Sequence, residues 1–152
     1  MSHKILKKIA MISAIACSTT LTSQVMAQDY NPYPGKLSAQ VVNVVSASTI
    51  NIEAETWPGY SKTFKVSLPN IQVPSSNSEK ICQRKLAEQA LAFTQDFLAA
   101  GTTITVSDLK MANSSSLSAT AKILTNQGSL TDALISHGFA RSAENVTEEP
   151  WC

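Results

Sequence analysis

A chain of 152 residues holds one domain with a core of its own and leaves no room for two comfortable ones. With 43% hydrophobic and 15% charged residues and no long biased tract, it is neither a disordered nor a fibrous protein. Its formal net charge of +1 offers no broad basic footprint of the kind that phosphate-neutralising nucleic-acid binders carry.

Residues 1–27 have the pattern of an export signal. Lys4, Lys7 and Lys8 make a basic start, and residues 9–16 (IAMISAIA) make an apolar stretch. Val25-Met26-Ala27 then supplies the residues a signal peptidase reads, so cleavage is expected after Ala27. The apolar stretch falls far short of the roughly 20 residues needed to span a bilayer, so no permanent transmembrane anchor is expected. A competing pattern is lipoprotein processing at Cys17, because AIAC is a loose lipobox that lacks Leu three residues before the cysteine. Removal of residues 1–27 takes away three lysines and no acid, leaving nine basic against 11 acidic residues, a net charge of −2.

Export leaves Cys82 and Cys152 as the remaining cysteines, in a compartment that permits oxidation. A bridge between them is expected, with two free thiols as the alternative. Zinc is a poor fit, since His137 is the one histidine left and two thiols do not complete a site.

Along the rest of the chain, residues 28–36 (QDYNPYPGK) form a Pro- and Asn-rich lead-in without periodicity. The domain proper is expected over residues 37–152. An apolar run over residues 37–45 predicts a first strand, and the polar break Ser46-Ala47-Ser48-Thr49 bends the chain. TINIEAE alternates with Ile50 and Ile52 on one face, predicting a second strand, and WPGY at residues 57–60 is turn chemistry. Residues 63–73 predict a third strand with Phe64, Val66 and Leu68 buried and Pro69 at its end or edge.

The period then changes. Ser76 and Glu79 have the spacing of a capping box. Leu86, Ala87, Ala90, Leu91, Thr94, Phe97 and Leu98 recur at helical spacing up to Gly101. TITVSDL and LSATAKILT predict two more strands across a serine-rich connection. Ser129 opens a short second helix that ends before Gly138, and the tail has room for a last helical turn before Trp151. Three strands, a long helix, two strands and a short helix do not alternate as βαβ units do, which argues against a parallel sheet. The predicted class is α+β, mainly β: a five-stranded OB-type barrel with one long and one or two short helices.

Residues 37–152 resemble the staphylococcal nuclease (thermonuclease-like) family. LTDALISHGFA at residues 130–140 is similar to the family's V-N-x-x-L-V-x-x-G-x-A, and CQRKLAEQALAFTQDFL resembles its long helix. IQVP at residues 71–74 stands where the family has I-D-x-P-E, and a terminal Trp-Cys with a cysteine opening the long helix looks like exported bacterial members. The resemblance implies a Ca²⁺-dependent phosphodiesterase. Carboxylates of a D-G-D-T turn and of I-D-x-P-E would hold the ion, the Glu would orient the attacking water, and two arginines would neutralise phosphate charge.

Laid on this chain, none of those groups is present. D-G-D-T falls on Ser46-Ala47-Ser48-Thr49 and keeps only Thr49. R-L falls on Ser67-Leu68, the second motif on Ile71-Gln72-Val73-Pro74-Ser75, and the Y-G-R arginine near Ser118. A shifted alignment does not restore them, because no acid lies between Asp29 and Glu53 or between Glu55 and Glu79, and no arginine between Arg84 and Arg141. Loss of one charge-stabilising group costs roughly 10²–10³ in rate, and here the whole set is replaced. No catalytic residue, metal or cofactor is therefore expected.

Other chemistry-bearing residues read as ordinary surface. Glu53 and Glu55 share one side of a strand, the basis for a relocated metal site or for two solvated carboxylates. His137 lies at a helix C-terminus, where the dipole favours a cation. Ser114, Ser115 and Ser116 lack a nucleophile context. Lys65, Lys80, Arg84 and Lys85 suggest a small basic edge. Three functions follow as expectations: an exported, inactive barrel that binds another cell-envelope protein; a weak nuclease using Glu53 and Glu55, with Ca²⁺ as its cofactor; and a non-cleaving single-stranded nucleic-acid binder.

Overall fold

The computed structural model describes residues 30–145 and 150–152. The expected signal segment and Cys17 lie outside them, as do residues 146–149. Among the described residues no helix is long and apolar enough to cross a membrane.

Five strands close a barrel. They are β1 (Tyr30–Ser46), β2 (Thr49–Trp57), β3 (Tyr60–Ser67), β5 (Thr103–Met111) and β6 (Ser118–Thr125). Neighbours pair antiparallel in the order β3-β2-β1-β5-β6, and a parallel pairing of β3 with β6 joins the two ends. This is the expected OB-type barrel. A short β4 (Ile71–Gln72) pairs with β8 (Arg141–Ser142) outside it, and β7 (Gly128–Ser129) extends β6. The helices are α1 (Ile81–Phe97) and α2 (Leu130–Ser136), and a 3₁₀ turn spans Ala143–Asn145.

Alternation builds the core. Ile50, Ile52 and Ala54 of β2, Phe64 and Val66 of β3, Ile104 and Val106 of β5, and Ala121 and Ile123 of β6 all point inward and are buried. Leu98, Leu130 and Leu134 close the cluster from the helices. Burying each Val, Leu, Ile or Phe among them contributes about 1.5–3 kcal/mol, which makes this layer the main source of stability.

The first strand is longer than its apolar run. It starts at Tyr30, so most of the lead-in belongs to the sheet and pairs with β5 from Tyr30↔Met111 to Gln40↔Thr103. Pro32 and Pro34 hide this from a pattern reading, because they interrupt alternation and lack a donor. The second half of β1 pairs with β2, and extra residues at Val42 and Val45 make two bulges there. The polar break after Val45 is a full reversal: Ser46 pairs with Thr49 across Ala47-Ser48.

Helix α1 begins later than its capping box. Lys80 is the N-cap, without a side-chain cap bond, so Ser76 and Glu79 do not form the box. Ser78 acts instead, accepting from the Lys80 amide at 3.2 Å and donating to Gln83 Oε1 at 2.7 Å. The buried stripe is Ala87, Ala90 and Thr94, with Leu86 and Leu91 only partly covered. Ser129 does cap α2, accepting from the Asp132 amide.

Thr94 ties the long helix to the barrel. It is fully buried, and its single hydroxyl proton is shared between the carbonyls of Ala47 and Ala90, each at 3.0 Å. At the other end, Cys82 and Cys152 are bonded across a sequence separation of 70. Two outcomes follow. Thr94→Val, which keeps shape and removes the donor, is expected to cost about 1–3 kcal/mol in urea unfolding. Cys152→Ser is expected to cost about 4 kcal/mol, the entropy of a loop of that length, in the same measurement.

Candidate functional site

The positions that the resemblance would make catalytic fall in two places. Ser46 and Thr49 form the last pair of the β1–β2 hairpin, and Ser48 sits in its turn. Thr49 also faces Ser67 of β3, with the two hydroxyl oxygens 3.3 Å apart. On the adjoining strand Ser67 pairs with Thr120, and Ser118 pairs with Lys65. The barrel thus assembles Ser46, Ser48, Thr49 and Ser67 at one end of β2 and β3, with Ser118 one strand away. Gln72 and Ser75 are held differently. Gln72 is exposed and pairs with Arg141 through the backbone, and Ser75 accepts from the Asn77 amide at 3.2 Å in an exposed turn.

This donor set does not suit Ca²⁺. Such sites are built on carboxylate charge, and here every side chain is a neutral hydroxyl or amide. Two backbone oxygens of the turn are engaged as well: Ala47 O accepts from Thr94, and Ser48 O accepts from the Leu68 amide at 2.9 Å. Glu53 and Glu55 stand farther along β2. Glu53 is flanked by Gln40 and Thr63, and Glu55 accepts from the Gly59 amide at 2.7 Å, stabilising the turn before β3. Among the described residues no three His, Cys, Asp or Glu side chains come together.

The remaining candidates resolve into turns and caps. His137 is the C-cap of α2, its Nδ1 2.9 Å from Ala133 O, and its ring lies 4.6 Å from that of Phe93. Asn113 Oδ1 accepts from both the amide and the hydroxyl of Ser115, and Ser116 donates to Ser118 O, so this loop's hydroxyls serve the turn. Arg84 donates to the carbonyls of Ser78 and Glu79 and holds the segment ahead of α1.

Two concavities escape a sequence reading. A cleft of about 650 Å³ between α1 and α2 is floored by Phe93, Phe97 and His137. A groove of about 660 Å³ opens between the diverging ends of β1 and β2, lined by residues that include Ser38, Gln40, Glu53, Glu55 and Trp57. The spacing of Phe93 and Phe97 on one helix face is a signal for the first. Nothing local signals the second, because it arises where two strands part.

No protein-family model and no curated protein matches this chain.

The hydroxyl pair at the hairpin end is structural and small in effect. Thr49→Val is expected to lower stability by less than about 1 kcal/mol, because the pair is only partly buried and Ser67 retains access to water. Chemical denaturation of the variant against the parent reads this directly.

Proposed function

We propose that this chain is an exported, catalytically silent barrel of the staphylococcal nuclease type that serves as a binding or structural module, with another cell-envelope protein as its partner. The observation that carries the reading is the hairpin end itself. Strand pairing sets Ser46 beside Thr49 and Thr49 beside Ser67, with Ser48 in the turn, yet these side chains are neutral hydroxyls and the carbonyls of Ala47 and Ser48 are already bonded. A phosphodiesterase needs charge at that place to clamp phosphate and to acidify water, and these residues supply none. The disulfide supports an oxidising compartment. The slight acidity of the chain after signal removal supports a protein over a nucleic acid as the bound species.

Two measurements test it. The purified protein is expected to leave single- and double-stranded DNA and RNA intact with Ca²⁺ or Mg²⁺ present, and to cause no salt-dependent gel shift. Metal-dependent cleavage that disappears in a Glu53→Gln, Glu55→Gln variant would replace this reading with that of a nuclease. Recovery of the tagged full chain from its own cell envelope is expected to bring a stoichiometric protein partner, and recovery of the chain alone counts against the module.

A further inference from the structure

The groove between β1 and β2 is bounded by two strand edges with no partner among the described residues. Pairing of β1 with β2 ends at Ala39↔Ala54. Beyond it, β1 is held only by β5, through Ser38, Leu37 and Lys36. On the other side, Glu55 and Trp57 of β2 are held only by Ser61 and Tyr60 of β3. The two strands separate like the sides of a wedge, and the backbone groups that would have bonded across it face the groove. Pro32 and Pro34 carry no amide donor, so the edge of β1 able to make a ladder is the stretch that follows Pro34.

The lining has a chemical character. Glu53 and Glu55 bring two carboxylates, Ser38, Gln40 and Thr103 bring neutral polar groups, and the described lining contains no cation. Trp57 stands on the rim 74% exposed, and Tyr60, its pair across the turn, is 62% exposed. Exposed aromatics of that size beside open strand edges are unusual, because edges are normally covered or charged to prevent pairing.

We propose that this groove takes an extended, Lys- or Arg-bearing segment of a partner protein, which adds as a strand along β1. Strand addition supplies backbone hydrogen bonds without regard to sequence, and alternate side chains then set specificity. In such a strand every second side chain points to the same side. The groove offers those positions carboxylates for cations and the face of Trp57 for cation–π contact. The proposal rests on the binding-module reading and adds to it the place and the chemistry of the bound segment.

The test uses the full chain as the cell produces it, with its disulfide formed. A random dodecapeptide phage library is selected against it, and the enriched peptides are made synthetically. Enriched sequences are expected to carry Lys or Arg at alternate positions and to change the fluorescence of Trp57. In amide NMR spectra they are expected to shift residues 35–38 and 55–57 and leave α1 and α2 unmoved. Glu53→Lys and Trp57→Ala are exposed substitutions expected to preserve the fold, and each is expected to weaken binding by about fivefold or more. Enrichment without basic residues, shifts mapped to the cleft between the helices, or no enrichment would overturn the groove. An envelope partner retained equally by the parent and by the Glu53→Lys, Trp57→Ala double variant would overturn the groove alone and leave the module standing. A selected peptide that maps to the groove, together with recovery of the chain without any partner, would uphold the groove and remove the envelope assignment.

Discussion

Everything in this protein depends on one strand being shared. The 17 residues of β1 give their first half to β5 and their second half to β2, and only this double use closes the sheet into a barrel. A flat strand cannot do it. The extra residues at Val42 and Val45 bend β1 toward β2. On β5 a further irregularity around Asp108, which has a left-handed φ of 55°, turns the sheet on both of its edges. The parallel seam of β3 with β6 then completes the ring and places Ser67 beside Thr120.

The same closure determines what the hairpin end can do. Once β1 reverses at Ala47-Ser48, the turn sits over the long helix, and buried Thr94 bonds its carbonyl. The turn is part of the load path between helix and barrel. Its half-buried serines and threonine are neutral, and Thr49 pairs with Ser67. Carboxylates at Ser46 and Ser48 would repel one another across the turn and favour a cation to balance them. The hydroxyls of Ser46, Ser48 and Thr49 carry no charge and impose no such requirement.

The C-terminal end is fastened by several unlike contacts. Strands β4 and β8 pair, Ala143 donates to Asn70 O at 2.9 Å, and the guanidinium of Arg141 lies 4.3 Å from the Trp151 ring centre. The Cys82–Cys152 bond then links the last residue to the start of α1. Helix start, third-strand exit and chain end are therefore tied together. The wedge between β1 and β2 lies apart from these contacts, and among the described residues its strand edges have no partner.

The order and class of the elements were written in the sequence. Alternation in residues 49–55 and 103–109 and the helical recurrence from Ala87 to Leu98 mark what each segment must bury, and burial periodicity is local information. That Ser46, Ser48, Gln72, Ser75, Ser67 and Ser118 are neither carboxylates nor arginines was equally legible, since it concerns residue identity. The start of β1 at Tyr30 was not, because its pairing is satisfied by β5, more than 60 residues away, and its prolines break the pattern. Nor was the start of α1, where Ser78 and Arg84 outcompete the expected box for the free amides and carbonyls. The placing of Thr49 against Ser67, and the parting of β1 from β2 that opens the groove, were decided by register and bulges. Those are properties of paired strands, and a single strand's sequence does not contain them.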